Sequence, residues 1–168
     1  MATITLYELG GYNDGRLIAG TFNLDNSSTY GEWMCEVGSW LARMTQELGR
    51  LCEEWIIADA EGVPDQFVGE YSLDAVYWEY RDALATSYLD EEVFMAASVL
   101  EISPSMVEAL YQGEFESDRE FAFCMAEDLD LLNKEAQWPY TCIDWDTAAR
   151  ELLYDYEESN GHYFRTDY

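Results

Sequence analysis

The chain has 168 residues, 49% hydrophobic and 15% aromatic, enough to bury a core in one or two ordinary domains or in a few small ones packed in a row. Thirty-five Asp and Glu stand against eight Lys and Arg, a formal net charge of −27. That imbalance excludes nucleic acid as a direct partner and disfavours anionic membranes, because neutralisation of phosphate by Lys and Arg is the dominant affinity term there. It leaves basic proteins, cations or small neutral substrates.

The opening stretch, MATITLYELGGYNDG, carries no basic region and no long apolar core, so it does not read as a signal peptide. It reads instead as strand, turn, strand. Thr3 to Leu9 alternates, Gly10-Gly11 and Asn13-Asp14-Gly15 supply turn chemistry, and Leu17 to Phe22 is extended again. Met34, Val37, Leu41, Met44, Leu48 and Leu51 then recur on one helical face, with Gly38 and Gly49 weakening the helix by about 1 kcal/mol each. Glu54 to Ala60 reads as a strand returning to the first sheet. Residues 1–62 are therefore expected to form a small α+β domain.

Glu61-Gly-Val-Pro64 breaks the chain. Helical patterns follow over Ser72–Leu89, Asp90–Leu100 and Ser103–Tyr111, the last with Ser103 as N-cap and Pro104 at the first helical position. They predict a helical middle domain over 63–112. Tyr77, Trp78 and Tyr80 crowd one helix; each by itself reads as core, while some of the three are expected to stay partly exposed and to favour an interface. Gln112-Gly113 marks the next break and opens an α+β domain over 113–168. There Ser117-Asp-Arg-Glu120 is a capping box for a helix running to about Leu132. Asp144 caps a last helix that Asn160-Gly161 stops, and His162 to Thr166 reads as a short closing strand. On that last helix Asp144, Glu151, Asp155 and Glu158 are expected to share one face. Trp145, Ala148, Ala149, Leu152 and Tyr156 make the opposite stripe, and Asp146 and Arg150 an i,i+4 pair.

The placement of charge says more than its total. From Leu51 to Asp118 there are 17 acids and one base, Arg81, an asymmetry that an ordinary solvated surface does not need. With 35 acids, carboxylate pairs arise by chance, so an acid–base hydrolase gains no support. His162, the single histidine, reads as a packing or capping residue rather than a base. Clustered Cys and His for zinc are absent. Asp128-x-Asp130 begins like a calcium loop, but Leu132, Asn133 and Pro139 fall where ligands and a glycine belong. The longest apolar run, Phe94 to Leu100, is too short to cross a bilayer. The widely spaced Cys35, Cys52, Cys124 and Cys142 read as buried free thiols of a cytoplasmic protein. Recognition by a basic partner stands beside loose calcium binding and a merely acid-tolerant surface.

Three stretches carry a resemblance. Tyr12-Asn-Asp-Gly-Arg-Leu-Ile-Ala-Gly-Thr-Phe22 is similar to the N-terminal box of the ArdA antirestriction family. Glu54-Trp-Ile-Ile-Ala-Asp-Ala-Glu-Gly-Val-Pro64 resembles its second box, with Ala60 where an aromatic often stands. Ile143-Asp-Trp145, Ala148-Ala-Arg-Glu-Leu152 and Gly161-His-Tyr-Phe164 resemble its C-terminal box. Order and spacing agree across essentially the whole chain. The resemblance implies a non-enzymatic DNA mimic without metal or cofactor, elongated and built of three small domains, that dimerises through the C-terminal one. It implies occupation of the DNA-binding channel of Type I restriction-modification enzymes, protecting incoming plasmid, transposon or phage DNA. The helix from Phe121 to Leu132 falls where the family's antirestriction segment is expected.

The carboxylates then expected to stand in for phosphates are spread over all three domains. They are Glu54, Asp59 and Glu61 in the first, and Asp65, Glu70, Asp74, Asp90, Glu91 and Glu92 in the second. The third contributes Glu114, Glu116, Asp118, Glu120, Glu127, Asp128, Asp144, Glu151, Asp155 and Glu158. Trp145, Tyr154 and Tyr156 are the expected dimer contacts. The alternative is an acidic module for another basic DNA-binding protein, such as a nucleoid, CRISPR or repressor component.

Overall fold

The alternation at the start of the chain becomes strand β1 (Thr3–Glu8), whose Ile4, Leu6 and Glu8 are buried while Thr3, Thr5 and Tyr7 are half-buried. The computed structural model describes residues 1–133, 135–139 and 141–166. In it β1 is the middle strand of an antiparallel sheet ordered β2-β1-β3, with β2 at Ala19–Asn23 and β3 at Trp55–Glu61. Gly10 and Gly11, expected in a turn, lie in the short helix α1 (Leu9–Asn13), because the Glu8 carboxylate accepts from both of their N–H groups and caps it.

Helix α2 (Tyr30–Leu48) buries Trp33, Val37, Trp40, Leu41 and Met44, and Trp40 meets Phe22 edge-on at 5.8 Å. Thr29 caps its start by accepting from Glu32 N–H. At its end Gly49, with φ 65°, donates to Thr45 C=O in the left-handed conformation that glycine adopts without penalty. Gly49 thus ends the helix rather than weakening it, and Leu48 and Leu51, expected on the apolar face, are exposed.

Helix α3 (Val76–Thr86) corrects the expectation for its aromatics: Tyr77, Trp78 and Tyr80 are all buried. Trp78 Nε1 donates to Ser27 C=O at 2.9 Å, and Phe67 packs against Tyr77 and Tyr80 at 5.9 and 4.9 Å. Arg81 Nη1 donates to the Leu24 and Ser27 carbonyls. The side chains that looked surplus therefore close the core of the first half.

Helices α4 (Glu91–Val99), α5 (Val107–Leu110), α6 (Asp118–Asp128) and α7 (Trp145–Leu152) follow, with a second antiparallel sheet in which β6 (His162–Arg165) lies between β4 (Tyr111–Glu114) and β5 (Tyr156–Ser159). Ser103 does not cap; its hydroxyl pairs with Ser105 Oγ ahead of a single 3-10 turn. Gln112-Gly113, expected as a break, lies inside β4 (Tyr111–Glu114), where Gly113 takes φ 134° at a register shift. Helix α6 ends at Asp128, short of Leu132.

Helix α7 likewise stops at Leu152 rather than at Asn160-Gly161. Asn160 and Gly161, at φ 53° and 83°, form the two-residue turn that joins β5 (Tyr156–Ser159) to β6 (His162–Arg165). Positive φ at both central positions is the geometry that twist-matched hairpins require, and it overrides the helical spacing upstream. Asp155 and Glu158 therefore do not continue a helix face with Asp144 and Glu151, and Tyr156 leaves the predicted stripe for the sheet. Phe121 is the centre of this half, stacked on Tyr163 at 4.3 Å and flanked by Phe115 and Tyr156.

Among the described residues, seven α-helices and two three-stranded antiparallel sheets make an α+β protein. It divides into two compact units, Met1–Asp82 and Ala83–Tyr168. No single described helix is long and apolar enough to cross a membrane. The four cysteines are free, but only Cys52 is buried; Cys35 and Cys142 are exposed and Cys124 is half-buried.

Candidate partner-binding surface

An ionised carboxylate is costly to bury without partners, so a chain with this many acids must turn nearly all of them to water. Every described Asp and Glu is exposed except Glu8. All of the acids nominated from the sequence thus lie on the surface. Glu54, Asp59 and Glu61 sit on or just before β3, and Asp65, Glu70 and Asp74 between β3 and α3. Asp90, Glu91 and Glu92 open α4, where the helix dipole favours negative charge. Glu114 ends β4 and Glu116 precedes α6, which carries Asp118, Glu120, Glu127 and Asp128. Asp144 caps α7, Glu151 lies in its last turn, Asp155 follows it, and Glu158 is on β5.

Several of these carboxylates are fixed by uncharged donors. Asp74 Oδ1 accepts from Val76 N–H at 2.9 Å and Glu120 Oε2 from Glu116 N–H at 2.7 Å. Glu158 Oε1 accepts from Gly161 N–H and Asp118 Oδ1 from the Tyr163 hydroxyl, both at 2.6 Å. Asp144 accepts from Thr147 N–H and Oγ1, and these bonds hold its carboxyl below the ordinary range. Such bonds order a side chain without neutralising it, so the charge stays available to a partner. The ion pairs of Glu8 with Arg50, Asp82 with Arg81 and Asp25 with the Met1 amine use none of the nominated acids. The expected Asp146–Arg150 pair does not form; the Arg150 charge acts on Asp144 instead.

Neighbouring groups show where the carboxylates converge. Burial, then Asp118, Glu158 and Glu120, push the Tyr163 phenol far above its ordinary value. Burial, then Glu120, Asp128 and Glu127, push up the Cys124 thiol. These acids make one negative field on α6 and the adjoining hairpin, within the second unit. Burial, then Glu114 and Asp90, likewise raise Tyr111. The Tyr163–Asp118 bond anchors the field to the core, since Tyr163 is buried under Phe121. Tyr163→Phe is expected to lower the unfolding free energy by about 1 kcal/mol, the typical worth of one hydrogen bond, read from urea unfolding.

Trp145 packs edge-on against Phe123 at 5.2 Å, Tyr156 packs against Phe121 at 5.1 Å, and Tyr154 is 80% exposed. His162 is buried with Nδ1 3.0 Å from the Tyr111 hydroxyl, in keeping with a packing role. Among the described residues no group of three or more His, Cys, Asp or Glu is placed to hold a metal ion.

Sequence reasoning passed over Glu8. Arg50 Nη1 donates to its Oε1 at 2.8 Å, Arg50 Nη2 donates to its Oε2, and Gly10 and Gly11 donate from the backbone. The Arg50 bonds hold the Glu8 pKa at about 2 against the opposing effect of burial. The available signal was an acid at an inward position of an alternating strand, one residue ahead of two glycines.

Fold and surface together define a class: a small α+β protein whose described acids, Glu8 apart, face solvent, several of them held by uncharged donors. A family model described as Antirestriction protein (ArdA) matches residues 6–165 of the chain. The chain belongs to the ArdA family of antirestriction proteins. A search of curated proteins gives no match.

Proposed function

We propose that this antirestriction protein acts as a DNA mimic, occupying the DNA-binding channel of a Type I restriction-modification enzyme. The observation that carries the reading is the exposed carboxylate surface, several of whose side chains are held by backbone and hydroxyl donors. A channel that displaces counterions from duplex phosphates will accept another ordered polyanion. It offers binding without chemistry: no substrate, cofactor or catalytic residue enters the proposal.

Dimerisation through the C-terminal part, with Trp145, Tyr154 and Tyr156 at or near the contact, belongs to the same reading. So does a three-part division of the chain at about residues 62 and 112, and action in the cytoplasm where incoming DNA is restricted. Two chains would carry 2 × −27 = −54. At one charge per roughly 1.7 Å of duplex, that equals about 90 Å of DNA.

Electrostatic capture sets the salt dependence. Affinity for the methyltransferase core of a Type I enzyme is expected to fall at least about tenfold between about 0.1 and 0.3 M salt, measured by titration calorimetry or interferometry. Affinity that does not change over that range would contradict mimicry. Capture of a nucleoid or repressor protein with no binding to the methyltransferase would favour the broader reading of an acidic module.

A further inference from the structure

The first sheet has two edges, and they differ. At the β3 edge the chain itself supplies a partner, since Ile57 N–H donates to Glu70 C=O at 2.8 Å. At the other edge, among the described residues, β2 pairs only with β1. Glu8 N–H donates to Ile18 C=O and Leu24 N–H to Ala2 C=O, so in this antiparallel ladder Ile18, Gly20, Phe22 and Leu24 bond to β1. Ala19, Thr21 and Asn23 must then turn their main-chain N–H and C=O groups outward. This edge carries no charge and no proline. By contrast β5, an edge of the second sheet, carries Glu157 and Glu158, the usual device against unwanted strand pairing.

An open groove of about 640 Å³ runs along the β2 edge, lined by β2 and by Cys35, Glu36, Ser39, Trp40 and Arg43 of α2. Trp40 lies so close over Gly20 that a Cβ there would stand 2.6 Å from its ring, which fixes the helix against the strand. The groove has two charged ends. Glu36 lies at the Asn23 end, where its Oε1 meets Ser27 Oγ at 3.3 Å, and Arg43 lies two helical turns on, beyond Trp40 and towards Ala19. Arg43 forms no ion pair among the described residues.

We propose that this edge pairs with the same edge of a second copy of the chain, antiparallel and centred on Thr21. In that register Thr21 faces Thr21 of the second copy and Ala19 faces Asn23 of the second copy. Each such pair exchanges both main-chain hydrogen bonds. The two-fold axis also brings Glu36 of each copy towards Arg43 of the other, so the contact is self-complementary in charge, as an isologous interface requires. An occupant with one basic and one acidic end fits this groove, and a second copy presents them in the matching order. The contact is independent of any association through the C-terminal part.

The test is sedimentation of the full chain at about 0.15 M salt, where the Debye length of about 8 Å screens charges outside the contact. Thr21→Lys, which sets like charges opposite each other at the axis, is expected to raise the dissociation constant of this association at least tenfold. Thr21→Pro is expected to do the same; it leaves the main-chain ladder intact because the Thr21 N–H faces away from β1, and it gives up only the exposed 3.0 Å contact between the Thr21 and Thr5 hydroxyls. Glu36→Arg, on an exposed helix position, is expected to weaken association by itself, and Glu36→Arg with Arg43→Glu to restore it. Association unchanged by Thr21→Lys and by Glu36→Arg would overturn the proposal, as would failure of the double exchange to rescue. An assembly held only by the C-terminal part, or a β2 edge reserved for another protein, gives that unchanged result. Enzyme binding by the methyltransferase assay is a separate readout, so either reading can fail alone.

Discussion

Replacing Glu8 by glutamine is expected to remove about 3 kcal/mol of stability at pH 7 while leaving the acidic surface intact. Two routes lead to that size. The Glu8 pKa of about 2, against 4.5 for an ordinary glutamate, is worth about 3 kcal/mol at 1.36 kcal/mol per unit. Deleting one member of a buried charge pair costs a similar amount, roughly 3–5 kcal/mol, because the remaining groups lose their partner. The lower end applies, since Arg50 is 37% exposed and partly solvated. Glutamine has the right size but carries two donors of its own, and the site already points four donors at these oxygens: Gly10 N–H, Gly11 N–H and the two ends of the Arg50 guanidinium. The sign with pH follows from the lowered value. Above pH 4.5 the contribution is fully present, and it disappears as the pH falls through about 2. Urea unfolding of the parent and Glu8→Gln should therefore differ by about 3 kcal/mol at pH 7, with the gap closing between about pH 4.5 and 2. A constant gap across that window would show that Glu8 acts by shape rather than by charge.

The second large effect concerns binding, and it must be graded. Exposed ion pairs contribute about 0.2–1 kcal/mol each, so a single amide substitution among the acids is expected to weaken enzyme binding only about two- to threefold. Changing Glu114, Glu116, Glu127, Asp128 and Glu151 together to amides should sum to about 2.5 kcal/mol, or roughly 70-fold. None of these five side chains accepts one of the local bonds that order the surface, so unfolding should be nearly unaffected. One Asp→Asn change that abolished binding in a folded protein would point to a single indispensable carboxylate and sink the distributed surface.

How much of this was legible beforehand depended on the range of the interactions involved. Local chemistry was readable. Ser117 and Asp144 cap the helices that follow them, and β1, β3 and β6 lie close to where alternation puts them. Conflicts between two local signals were not. Helical spacing from Trp145 to Glu158 was genuine, but the hairpin turn at Asn160-Gly161 claimed the last third of it for β5, a choice that depends on β6 being present to pair. Gly49 read as a weak point because its role needs the helix end to be known. Tyr77, Trp78 and Tyr80 read as core one by one but as too crowded to be buried together, yet Phe67 and the Ser27 carbonyl, distant in sequence, complete their surroundings. The surface was legible as composition and as a list of acids. Which acids are ordered was not, since the bonds of Asp118 to Tyr163 and of Glu8 to Arg50 join residues 45 and 42 apart.

A surface that takes the place of DNA must displace DNA from the enzyme. A Type I methyltransferase core is loaded with a fluorescent duplex carrying its recognition site, and the chain is titrated in while polarisation is followed. The duplex is expected to be released, and added unlabelled duplex to raise the concentration of chain needed in proportion, as for two ligands of one channel. A ternary complex, with the chain bound and the duplex still held, would contradict mimicry.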